Sequence, residues 1–239
     1  MKRDHVIGIV GVFALALPVR AGSLDLPGSF TSAQFASFSM AAADAITFPW
    51  LASAVPTGIS GFELVAAAGG PRVNSDSAWW HGIDSRLVAG VWPGQRLIAR
   101  KGLPLRFDVG AQVGSLAGER FWGVEGRWAL VDGGAVTPAI ALRASYSQFA
   151  NAPFQVAAQE LQLGISKGFA ILTPYGAIGY RRFDASARVG TPADVALSST
   201  GSTTTWAAGV RLNVPVLRLV GEVRHAANLA FFLGVGVGL

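Results

Sequence analysis

The chain of 239 residues contains no cysteine. Neither a disulfide nor a thiolate metal site is available to it. Charge is scarce as well: Asp, Glu, Lys and Arg make up 14% of the residues, where a soluble domain carries about a quarter. Long apolar runs are also missing. Past the N-terminus no uninterrupted stretch reaches the ~18 residues of a transmembrane helix. Yet 51% of the chain is hydrophobic and its mean hydropathy is +0.43. It is apolar overall but has no helical spans.

The first 21 residues read as an export signal, to be removed from the mature chain. Lys2 and Arg3 precede the apolar run "VIGIVGVFALAL", and "VRA" at 19–21 resembles a small-x-small cleavage site. A buried N-terminal helix is the plainer alternative. Cleavage after Ala21 would remove three basic residues and one acidic one, lowering the net charge from +5 to +3.

Three divisions follow: 1–21 signal peptide, 22–57 N-terminal segment, and 58–239 strand-rich domain. Within 29–50, Phe30, Ala33, Phe35, Phe38, Ala42 and Ile46 recur at helical spacing, closed by Pro49 and Pro56. The helix could fill a lumen as a plug, lie at a periplasmic mouth, or act as a tether. Its Phe-rich face needs apolar cover, so the mouth or the lipid is expected rather than deep insertion.

From Gly58 onward about ten short alternating runs replace the helical pattern: 59–68, 94–101, 104–114, 120–130, 136–147, 157–166, 170–182, 203–213, 216–225 and 229–239. "LRFDVGAQVG" at 105–114 is typical, with apolar and polar residues alternating. Connections after even-numbered strands are tight, as in "RKGLP", "VDGGAV" and "SKGFA". Several after odd-numbered strands are longer, and 183–202 ("DASARVGTPADVALSSTGST") reads as a mobile loop.

A soluble β-sandwich would also alternate, so the aromatics carry the distinction. Trp122, Tyr146, Tyr180, Trp206 and Phe231 fall toward the long-loop ends of their strands, and Trp128 toward the other end. Such girdles mark the two interfaces of a membrane barrel. Sheets survive in lipid only when closed. The expected fold is therefore all-β: a transmembrane antiparallel up-and-down β-barrel of about ten strands, with a short N-terminal helical segment.

The closing run "LAFFLGVGVGL" and the stretches "GISGFEL", "ARKGLPLRFDVGA" and "SKGFAILTPYGAIGY" resemble bacterial outer-membrane β-barrel proteins, an uncharacterised group of them. In that family the last strand usually ends in an aromatic residue; here it ends in Leu239. The resemblance implies an outer-membrane location, lipid as surroundings, and the barrel-assembly machinery as a partner through the C-terminal strand. It implies no reaction.

The polar face is expected to line the lumen with Arg96, Arg100, Arg106, Arg127, Arg143, Arg181, Arg211, Arg218 and Arg224, against Glu63, Asp108, Glu125, Glu160 and Glu222. One reading is an ion-pair network that stiffens a narrow barrel. The other is a positive conduit for a small anionic solute. No cofactor, metal or nucleic-acid pattern is legible. "GVGVG" at 234–238 lies in a strand, where small inward residues make room for side chains from opposite strands. Only His81 and His225 remain after cleavage. An outer-rim hydrolase of lipid or peptide would pair His225 with Ser147 or Ser198, or His81 with Asp84, though no spacing requires it. A structural or small-solute passage role, without catalysis, is the expectation.

Overall fold

A computed structural model describes residues 30–73, 90–151, 153–189 and 195–238. Residues 1–21, His81, Asp84 and Leu239 lie outside these. Ten strands are present: β1 (Phe62–Pro71), β2 (Gly94–Leu103), β3 (Phe107–Leu116), β4 (Glu119–Asp132), β5 (Ala139–Ala150), β6 (Phe154–Ser166), β7 (Leu172–Val189), β8 (Val195–Asn213), β9 (Leu217–His225) and β10 (Leu229–Gly238). Each pairs antiparallel with its sequence neighbour. β10 closes on β1 from Glu63↔Gly238 to Pro71↔Ala230. Closure leaves no free sheet edge along the wall.

Alternation decides the two faces of that wall. Outward-facing Leu163, Ile165, Ile178, Trp206 and Leu233 are 43–74% exposed, while inward Glu160, Gln162 and Arg181 are buried. All six girdle aromatics point outward on their strands. Trp122 and Tyr146 touch, with ring centroids 5.7 Å apart. The glycines of "GVGVG" face inward. A Cβ at Gly234 would meet Val220 at 2.9 Å, and one at Gly238 would collide with the Arg218 guanidinium.

Three expectations change. The third strand starts at Phe107, because Pro104 breaks the ladder and Leu105 and Arg106 take left-handed φ of 62° and 63°. Leu105 is 88% exposed in that turn. Residues 183–189 and 195–202 are strand rather than loop. β7 and β8 stay paired from Arg182↔Ser202 out to Val189↔Val195. Ser and Thr occur on both faces of β8, while Phe183, Ala185, Ala187 and Leu197 are buried on the inner one.

The third change concerns the N-terminal segment, which lies inside the barrel. Helix α1 (Ser32–Ile46) is opened by a capping box in which Gln34 N donates to Thr31 Oγ1 and Thr31 N to Gln34 Oε1. Phe35 and Phe38 pack on Phe154 at the long-loop end, at 6.0 and 4.8 Å between centroids. Deep insertion was unexpected because the lumen was read as polar throughout. It is not: Leu116, Phe121, Phe149, Phe154, Val156 and Phe183 line this end with apolar side chains. Burying each phenylalanine there contributes about 1.5–3 kcal/mol.

The outer face supplies the first prediction. Leu163→Arg, on the lipid side, should cost about 2–4 kcal/mol near the midplane and impair insertion. Val136→Arg, in an 88% exposed turn, should be tolerated. Gel migration before and after boiling compares them, since a closed barrel resists unfolding until heated. Equal insertion of both variants would contradict a lipid-facing wall.

Candidate functional site

From Thr47 the chain leaves the helix and runs extended down the lumen to Thr57, then turns into β1. This stretch has no strand beside it, so its peptide groups must find other partners. Wall side chains supply them. Arg96 donates to the carbonyls of Ala45 and Thr47, at 2.6 and 3.0 Å. Arg143 donates to Phe48 O at 2.9 Å and Pro49 O at 2.8 Å, and Arg224 to Phe48 O at 3.0 Å. Arg100 reaches Trp50 O at 2.9 Å, and Arg127 reaches Ser53 O at 2.8 Å.

The peptide N–H groups find acceptors on the same wall. Glu222 accepts from Trp50 N at 3.1 Å and Leu51 N at 2.6 Å. Leu51 holds a left-handed φ of 41°, which turns two successive N–H groups toward one carboxylate. Tyr175 donates its hydroxyl to the same carboxylate at 2.8 Å. Further down, Ser166 Oγ accepts from Ala54 N at 2.8 Å, and Asp108 from Thr57 N at 3.0 Å.

The arginines are also paired with acids, some on the adjacent strand and some on strands further round the barrel. Arg100 contacts Glu125 at 2.6 Å and Glu63 at 3.1 Å. Arg127 contacts Asp108 at 2.6 Å, and Arg224 contacts Glu160 at 2.6 Å. Arg211 and Arg218 share Glu63 at 2.7 and 3.2 Å. Arg143 bridges Glu125 and Glu160, each at 3.3 Å. The planar guanidinium suits this double duty, because it offers five donors in a fixed fork. Phe48 and Trp50 lie under the same cations, with Arg143 4.9 Å from the Trp50 ring.

Eight of the nine arginines read as lumenal therefore meet inside the barrel. Arg106 does not. It sits in the β2–β3 turn and pairs with Asp132 at the end of β4 at 3.1 Å, both half exposed. Its position looked inward only because the strand was taken to begin before Pro104. Sequence reasoning also missed Asp44, which α1 carries to Arg181 and to the Asn228 backbone N–H, the latter at 2.8 Å. Its place as a lone carboxylate in the apolar run "MAAADAI" was the available signal. Tyr175 and Ser166 were missed too, since neither is charged.

His225 lies on the outer face, stacked on Trp206 at 5.9 Å. Ser147 is inside, accepting from Gln112 at 3.0 Å, so the wall separates the two. Ser198 pairs with Ser186, far up the β7–β8 hairpin from the Trp206↔His225 pair.

The closed ladder, apolar outer belt and two aromatic girdles define a transmembrane β-barrel. No family model matches the chain, and no curated protein matches it in sequence. Among solved structures it is similar to the N-terminal β-barrel domain of Pseudomonas aeruginosa OprF, at 11% identity and a TM-score of 0.39, over 76% of this chain and 99% of that one. It is also similar to the KdgM porin, at 8% identity and 0.38, over 73% and 98%. The β domain of the Bordetella autotransporter BrkA gives 11% and 0.38, over 74% and 98%. These likenesses assign no role; the barrel is read from its own ladder, which closes β10 on β1.

The Glu222 clasp yields a second prediction. Glu222→Ala removes the acceptor of two buried peptide N–H groups, at about 1–3 kcal/mol for each group left unpaired. The lumenal strand should loosen while the wall persists. Since the chain has no cysteine, Ala52→Cys is a clean reporter at a position 1% exposed. The thiol should resist a soluble maleimide in the parent and react readily beside Glu222→Ala. Equal labelling would show that Glu222 does not hold the segment.

Proposed function

We propose that this protein is an integral outer-membrane barrel with a structural role, held shut by its own residues 30–57. It is read as exported by its N-terminal signal and assembled through its C-terminal strand. In this reading it has no catalytic site and no cofactor. The observation that carries it is the hydrogen bonding of the Thr47–Thr57 backbone to side chains from around the wall. A conduit would leave its arginines free for solute. Here they are spent on carbonyls and carboxylates, and Arg143, Arg181 and Arg224 are at most 2% exposed.

Passage of a small anion is the second reading, favoured by the excess of basic side chains that would face a vacated lumen. Planar-bilayer recording separates the two. The intact protein should conduct almost nothing. A variant lacking residues 30–57 should show an anion-selective current that fades in selectivity at high salt. Arg127→Gln with Arg143→Gln should mainly lower thermal stability, because it strands Asp108 and takes one of two arginines from Glu125 and from Glu160. A clear single-channel, anion-selective current from the intact protein would overturn the closed reading.

A further inference from the structure

The outer wall carries a feature that the plugged lumen does not explain. On β1 the membrane-facing side chains include Ala66 and Ala68, flanked by Leu97 of β2 and by Leu233 and Val235 of β10. A groove of about 1470 Å3 runs over this part of the wall, lined also by Val210 and Leu212 of β8 and Leu219 of β9.

Its outer end is polar in an ordered way. Gln95, Ser115 and Arg120 stand side by side on β2, β3 and β4, in the register Gln95↔Ser115↔Arg120. One step nearer the membrane centre, the register Leu97↔Val113↔Trp122 repeats the row in apolar form. Trp122 belongs to the outer girdle, so the polar row sits at headgroup level. None of the three polar side chains has a hydrogen-bond or ion-pair partner among the described residues. Ser115 Oγ is buried without one, and Arg120 is exposed. This differs from the lumen, where nearly every arginine is paired.

We propose that this groove binds a phosphate-bearing membrane lipid. Its phosphate meets Arg120, Ser115 and Gln95, and its acyl chains lie over Ala66, Leu97 and Leu233. A guanidinium fork matches phosphate oxygens, and the hydroxyl and amide add donors of the geometry an oxyanion accepts. The apolar row directly beneath argues for a lipid rather than a soluble anion, which would have no use for it. The assignment rests on the membrane-spanning reading of the barrel.

The test uses the full chain in nanodiscs of phosphatidylcholine with a minor fraction of phosphatidic acid. Native mass spectrometry then follows which lipid survives progressive delipidation. The parent should retain phosphatidic acid selectively. Arg120→Gln should release it about tenfold more readily, the effect of losing one charge-assisted contact. Ala66→Trp, which fills the groove without touching the polar row, should also release it. Both variants should keep the heat-dependent gel shift of a closed barrel. Equal retention by the parent and Arg120→Gln would overturn the site. So would a parent that carries no phosphatidic acid but runs as a dimer broken by Ala66→Trp, which would make the groove a protein interface. Loss of the gel shift in the parent itself would overturn the barrel reading and the site with it.

Discussion

An extended backbone enclosed in a barrel has no strand beside it and little water to turn to, and the inner wall is organised around that constraint. Every peptide group that cannot be hydrogen-bonded costs about as much as the bond it forgoes. Between Thr47 and Thr57 the partners come from long side chains reaching across the lumen. Arginine serves the carbonyls, while glutamate, aspartate and serine serve the N–H groups. The helix above needs such service only at its C-terminal end, where Arg96 and Gln112 donate to the Ala45 and Ile46 carbonyls. Its Phe-rich start can sit among Phe121, Phe149 and Phe154, where the wall is mainly apolar. Helix at the apolar end and extended chain at the polar end are two solutions to one problem.

The same arrangement accounts for the charge imbalance. With Asp44 included, eight lumenal arginines face six acids. A surplus of buried guanidinium groups would be costly in an empty, narrow channel. The segment's carbonyls supply the remaining acceptors, and Phe48 and Trp50 place their ring faces under Arg100 and Arg143. Wall and segment each complete the other. Removing either strands polar groups in the partner, which is more damaging than replacing a buried pair by apolar residues.

Much of this architecture was legible in the sequence because strand alternation has a period of two and aromatics mark interfaces. Leu163, Ile178 and Trp206 needed only parity to be placed outside, and Arg127, Arg143 and Glu160 only parity to be placed inside. What parity cannot show is what the inner face meets. Phe121, Phe149 and Phe183 have the inward phase and were the evidence for an apolar upper lumen. In a list of charged residues they passed unseen. Arg106 failed for a local reason, since Pro104 ends the alternation before it starts. Residues 183–189 and 195–202 were misread because Ser and Thr suit a solvated strand face as well as a loop. The carbonyl partners of the arginines could not be read at all, because backbone atoms leave no trace in composition.

The direction of the buried segment ties its seating to closure of the barrel. The chain runs from the long-loop end, where α1 packs on Phe154, down to the turn end, where β1 begins. Part of its hold comes from the last strands. Glu222 and Arg224 on β9 grip Phe48, Trp50 and Leu51, and Phe232 on β10 lies over Arg96. Those strands also carry the glycines that leave the interior room: Gly234 and Gly236 lie within 3 Å of Val65 or Val220 for any added Cβ. Until β9 is in place, the carbonyl of Phe48 has only Arg143 of its two donors, and the N–H groups of Trp50 and Leu51 lack partners. Until the segment is in place, Glu222 lacks two of its three donors. Pairing of β10 with β1 and occupation of the lumen are thus stabilised by the same contacts, and each is complete only when the other is.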